Sequence, residues 1–124
     1  MKFQEEYAKL NKEQKLAVDT IEGPVMVVAG PGTGKTQILT LRIANILNKT
    51  DIDADNILAL TFTESGATSM KRRLINIIGN DAYRVNINTF HGFCNDIIQN
   101  YPESFSKIDG FSNIDEVKQI EILK

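Results

Sequence analysis

A chain of 124 residues with 42% hydrophobic and 24% charged side chains is one domain or a piece of one, and too apolar to be intrinsically disordered. Its formal net charge of −2 excludes a bulk electrostatic pull toward nucleic acid, so any such contact has to rest on local basic groups. The single cysteine, Cys94, excludes an intrachain disulfide and suits a reducing compartment.

The opening stretch, MKFQEEYAKL, carries acidic residues where a signal peptide needs an apolar run. No stretch of the chain approaches the ~20 apolar residues of a membrane span, so no membrane partner is expected and the expected setting is the cytosol. Next, LNKEQKLAVDTI predicts a short helix: Asn11 is a good cap, and Leu16, Ala17 and Ile21 fall near helical spacing. Gln14 has two readings at this point. It stands at the capping-box distance from Asn11, and its amide could also accept from an adenine amino group while donating to a ring nitrogen.

PVMVVAG (24–30) is an apolar run behind Pro24, which predicts a strand covered on both faces, as in a parallel sheet. It leads into AGPGTGKT (29–36). The phosphate-loop pattern asks for glycine at its first position, where this chain has Ala29. The rest matches: Gly30, Pro31, Gly32 and Thr33, then Gly34, Lys35 and Thr36. Gly32 and Gly34 let the backbone turn successive N–H groups inward at phosphate oxygens. The following helix offers its positive end to the same anion. Lys35 would lie along the β- and γ-phosphates, and the Thr36 hydroxyl would join the shell of a Mg2+ ion. The alternative is a glycine-rich turn without a ligand, which GTGKT behind a strand makes hard to sustain.

KTQILTLRIANIL predicts a helix, DIDAD a loop, NILALTF (56–62) a strand and SGATSMKRRLINIIG a helix ending at Gly79. RVNINTF (84–90) predicts a third strand, and HGFCNDIIQNY a helix stopped before Pro102. IDEVKQIEILK also has a helical pattern, with no stop signal. Alternating strands and helices predict an α/β fold with a parallel sheet and flanking helices, incomplete at about three strands. Residues 1–100 would form part of an ATP-binding domain, and 101–124 the start of a further helical segment that is cut short.

In order along the chain, these segments resemble the first motor domain of UvrD/Rep/PcrA-type superfamily 1 DNA helicases. LNKEQKLAV resembles the Q motif of that family. VVAGPGTGKTQILTLRIANIL resembles its phosphate loop, where alanine at position 29 is ordinary. ILALTFTESGATSMKRRL resembles motif Ia, and INTFHGFCNDII the TFH motif. The match covers roughly residues 10 to 100. It implies a P-loop NTPase fold of the RecA-like kind. It also implies ATP and Mg2+ as cofactors, with the ATP cleft shared with a second motor domain, and 3′-to-5′ movement along single-stranded DNA. The missing C-terminal motor domains of the same chain would be partners. Gln14 would read adenine, and Gln37 would stand beside the nucleotide. Phe62 and Thr63 would lie on the DNA track, with Thr89 and His91 near the DNA backbone or on the coupling route.

The residues themselves agree in part. An exposed Phe62 at a strand end could stack a base, an effect worth ~1–3 kcal/mol, or Phe62 could be a core residue. Thr63 and Thr89 could each cap the helix that follows, whose amino end favours phosphate. His91 could simply bond a neighbouring turn. Lys71, Arg72 and Arg73 read as a solvated helix face; Arg73 matches an arginine usual in motif Ia and receives no role.

The chain also departs from the family pattern. Glu64-Ser65-Gly66 stands where Asn-Lys-Ala is commoner, and Gln37 where arginine is frequent. No apolar strand ends in the Asp-Glu pair that completes the Mg2+ shell and activates water. NIDEV (113–117) has Asp115 and Glu116 behind one apolar residue and belongs to an amphipathic pattern with Val117, Ile120 and Leu123. The expectation is a segment that binds nucleotide without hydrolysing it. A small-molecule kinase would need a lid or acceptor site that the sequence does not offer. A non-catalytic interaction module would not need the intact GTGKT.

Overall fold

The structure is a computed structural model that describes residues 2–30, 32 and 34–105. The helical tail reading of 114–124, the NIDEV stretch, Pro31 and Thr33 lie outside the described residues. The chain divides into two compact units, the first ending at Thr89 and the second beginning at Phe90.

In the first unit the helices α1 (Lys2–Ala8), α2 (Lys12–Asp19) and α3 (Lys35–Lys49) come first. A strand β1 (Leu58–Thr61), helix α4 (Glu64–Ile78) and strand β2 (Asn86–Thr89) follow. The two strands are parallel, with Leu58 opposite Asn86 and Thr61 opposite Thr89. Parallel pairing needs a crossover, and α4 supplies it. Met70 and Leu74 of α4 are buried with Ala59 of β1, with Val85 just before β2, and with Ile43 and Ala44 of α3. A second cluster joins Ala17 and Val18 of α2 to Ile38 and Leu41 of α3. The fold is therefore mixed α/β, as expected, and α3 serves both clusters.

One expected strand is missing. Residues 24–30 form neither strand nor helix, and the sheet of the described residues holds only β1 and β2. Met26 is 89% exposed and Val28 91% exposed. Val25 and Val27 are less so, and this two-residue alternation is the period of an extended chain. An apolar run states that a segment gains from cover on both faces; it does not supply the neighbours that provide the cover.

The structure also adds a helix that the sequence reading left out. α1 packs on both clusters through Phe3. Phe3 and Tyr7, four residues apart, stack with ring centroids 5.7 Å apart. The Tyr7 hydroxyl donates to Asp19 Oδ2 at 2.7 Å and so ties α1 to the end of α2. That bond to a carboxylate, followed by desolvation and the Asp19 charge, holds the phenol above its usual pKa of 10.0. α2 is tied in turn to α3: Asn45 Nδ2, buried, donates to Val18 O at 3.1 Å, and Arg42 donates to Thr20 O at 3.0 Å.

The second unit is described from α5 (Phe90–Asn100) through a 3₁₀ turn at Pro102–Phe105. α5 ends just before the proline, as the restricted residue ahead of a proline requires.

Candidate nucleotide and nucleic-acid site

Two glycines shape the loop ahead of α3. Gly32 has φ of 75° and Gly34 of 77°, in the left-handed region that side chains avoid. Ala29 needs no such freedom, since no described non-glycine residue has a positive φ. The absent first glycine of the motif therefore brings no backbone strain.

Gly34 is the N-cap of α3 and has no side chain with which to cap it. The helical ladder begins with Ile38 N–H donating to Gly34 O at 3.0 Å. The amides of Lys35, Thr36 and Gln37 lie ahead of that bond, in the turn where a helix has N–H groups to spare. The first turn of α3 has no acidic residue and opens on Lys35. A cation there opposes the helix dipole, so this end of α3 is electrostatically incomplete without an anion.

Two cavities flank the loop and share Val27 and Ile38 as walls. One, of about 240 Å3, is lined by Gln14 and Ala17 of α2 and by Ala29 and Gly30 of the loop. The other, of about 250 Å3, is lined by Lys35 and Arg42, two turns apart on α3. Arg42 escaped the sequence reading, although its spacing of seven residues from Lys35 puts both on one helix face.

Gln14 forms the complete capping box. Gln14 N–H donates to Asn11 Oδ1 at 2.8 Å, and Asn11 N–H donates to Gln14 Oε1 at 2.9 Å. The cap occupies one acceptor position of an oxygen that has two. The capping role is therefore present.

Gln37 lies elsewhere. Its amide bonds Glu6 of α1 and Arg73 of α4, and it borders neither cavity at the loop. The side-chain amide of Gln37 is thus engaged with α1 and α4, while its backbone N–H belongs to the first turn of α3.

Phe62 is 90% exposed between β1 and α4, which removes the core reading. Thr63 caps α4, its Oγ1 accepting from Gly66 N–H at 2.9 Å. Glu64 occupies the first turn of α4 and suits the helix dipole. Thr63 therefore caps α4, as expected from the sequence, and holds one of the N–H groups at the amino end of the helix. At Gly66, where alanine is commoner, a Cβ would lie 3.0 Å from Thr63 Oγ1. Thr89 is only 5% exposed, its N–H held by Asn88 Oδ1 at 2.9 Å. His91 and Cys94 are exposed on α5, in the second unit.

Comparison with known families decides the kinship. The family described as "UvrD/REP helicase N-terminal domain" matches residues 10–124. The chain belongs to this family. Among relatives, it is 39% identical to the ATP-dependent DNA helicase PcrA of Staphylococcus epidermidis over 115 residues, 93% of the chain. It is 38% identical to the PcrA proteins of Staphylococcus aureus strains Mu50 and COL over the same span. The chain spans 16% of the length of these relatives. Helix α1 lies ahead of the residues that match the UvrD/REP helicase domain. Among the described residues, no helix is long and apolar enough to cross a membrane.

Proposed function

We propose that this chain is the ATP-binding N-terminal part of an ATP-dependent DNA helicase that moves 3′ to 5′ along single-stranded DNA in the cytoplasm. Motion would require the further motor domains that complete the ATP cleft. The observation that carries the reading is the amino end of α3. A cation at its first residue and two left-handed glycines ahead of it form an arrangement that an anion would complete.

In this reading the N–H groups of the 30–36 stretch, Pro31 excepted, cradle the phosphates of ATP, with the left-handed Gly32 and Gly34 shaping the turn. Lys35 adds charge-assisted hydrogen bonds to them. Ala29 ends the segment that leads into the cradle. Gln14 borders the cavity on the α2 side, where the base would sit. Among the described residues, no cluster of His, Cys, Asp or Glu could hold a metal alone. The Thr36 hydroxyl would share a Mg2+ ion with phosphate oxygens, in keeping with the few protein ligands that ion takes. Bound Mg2+ would offset the charge that develops on the transferred phosphate. No apolar strand of this sequence ends in Asp-Glu, so the chain is expected to bind nucleotide without turning it over.

For DNA, the support is the exposed ring of Phe62, which offers a face for a base. Thr63 is committed to its cap through its acceptor and keeps a hydroxyl proton to donate. The burial of Thr89 favours a place on the coupling route over a backbone contact, and the exposed His91 suits either. With a net charge of −2, DNA binding should be weak, salt-sensitive and indifferent to sequence.

Isothermal titration tests the reading. Wild type should bind Mg-ADP, and Lys35→Ala should bind none that is detectable. Equal binding by the two proteins would remove the loop from the proposal. ATP turnover that Lys35→Ala abolishes would contradict the binding-only part.

A further inference from the structure

We propose that Gln37 is a positioning residue, one that holds the first turn of α3 against α1 and α4 so that nucleotide binding is felt by the helix behind Phe62. The proposal rests on the nucleotide reading above. It begins from the two ends of one amide. Gln37 Nε2 donates to Glu6 Oε2 at 3.1 Å, and Gln37 Oε1 accepts from Arg73 Nη1 at 3.1 Å. The other oxygen of Glu6 is held by Lys9 Nζ at 3.0 Å. The chain Lys9–Glu6–Gln37–Arg73 thus begins just past the end of α1 and crosses to α3 and α4.

Each bond of Gln37 has one ionised partner, which makes both stronger than bonds between neutral groups. The order also fixes the residue type. The middle position must donate toward a carboxylate and accept from a guanidinium. A glutamate there would repel Glu6, and a lysine or arginine would have nothing with which to accept from Arg73. The chain borders a cavity of about 170 Å3 lined also by Lys2, Asn76 and Ile77. That space would allow the side chains to move apart if the amide were lost.

Placement gives these bonds a function. Gln37 directly follows Thr36, within the turn of α3 whose N–H groups face the loop. Arg73 lies ten residues beyond Thr63 on one continuous helix, about 15 Å along its axis. A shift of the first turn of α3 is therefore handed to α4 at a defined point, and α4 begins beside Phe62. Spatial linkage alone is no proof of coupling, which has to be measured as an energy shared between sites.

The test follows amide hydrogen exchange with and without saturating Mg-ADP, alongside ADP titrations and melting curves. The proteins are wild type, Lys35→Ala, Gln37→Ala and the double variant Glu6→Gln/Gln37→Glu. In the double variant, the carboxylate introduced at position 37 would accept from both Arg73 and the amide introduced at position 6. The chain of bonds is then rebuilt with only the bond between positions 6 and 37 reversed. In wild type, ADP should protect both the first turn of α3 and the Met70–Leu74 stretch of α4. Gln37→Ala should bind ADP about fivefold more weakly and, once saturated, protect α3 without protecting α4. The double variant should recover both properties, which separates a linkage role from simple damage to folding. Protection of α4 that survives in saturated Gln37→Ala overturns the proposal while leaving the nucleotide site intact. Failure of wild type to bind ADP overturns both.

Discussion

At Gly34 the chain enters α3 through a left-handed residue with no side chain to cap the helix, and the first residue inside is a lysine. At Thr63 it enters α4 through an extended residue whose hydroxyl receives Gly66 N–H, and the first residue inside is a glutamate. Both turns carry family motifs, and both put a helix amino end at the surface. Only the second has a side-chain cap. The α3 end combines spare N–H groups with a cation that the helix dipole disfavours, so its stability rises when an anion arrives. The α4 end already has a side-chain cap and a carboxylate in its first turn. What it offers a ligand is the neighbouring ring of Phe62. In the function proposed above, the same junction type would serve charge recognition at one site and stacking at the other.

The strongest way to break this contrast is Gly34→Ala. An added Cβ would meet no atom within 4 Å, so its cost is the left-handed backbone, φ 77°. That strain is worth ~1–2 kcal/mol. If it is relieved by reshaping the loop, Mg-ADP affinity should fall about tenfold or more. Calorimetry reads the affinity, and unchanged binding would mean that the left-handed turn is not what the nucleotide needs.

A smaller effect is expected at the other turn. Thr63→Ala should lower stability by about 1 kcal/mol in denaturant unfolding and leave ADP affinity within error of wild type. Gly66→Ala sharpens the point. With Thr63 present, its gain in helix propensity, up to about 1 kcal/mol, is opposed by the 3.0 Å approach to the hydroxyl. In the Thr63→Ala background the gain should emerge. Additive effects of the two substitutions would mean that cap and glycine are not matched.

Much of this was legible in the sequence because it is local. Asn11 and Gln14 form their box within four residues, Gly79 ends α4 at φ 77°, and α5 stops before Pro102. The glycines of the loop adopt the φ their spacing demanded, and β1 and β2 fall inside the strands expected at 56–62 and 84–90. What the sequence concealed depends on partners far along the chain. α1 has only seven residues and gains its order by packing Phe3 on α3 and α4. Its signal, Phe3 and Tyr7 four residues apart, was weak for so short a helix. The partners of Gln37 lie 31 and 36 residues away, beyond the reach of any motif. The exposure of Val25–Val28 was hidden for the same reason, since hydrophobicity records a preference and not its satisfaction.

That last segment has a consequence for the behaviour of many molecules together. Val25, Met26, Val27 and Val28 make a short uncharged run rich in β-branched side chains, with no proline between Pro24 and Pro31. Such a run exposed at a surface is a template on which a second molecule can lay a strand. Self-association of this chain should therefore depend on concentration, and it should begin beside the phosphate loop even while the rest of the fold is intact. Met26→Lys, which puts a charge on the face that is 89% exposed, should raise the concentration at which light scattering first detects oligomers. An unchanged threshold would locate the sticking surface elsewhere.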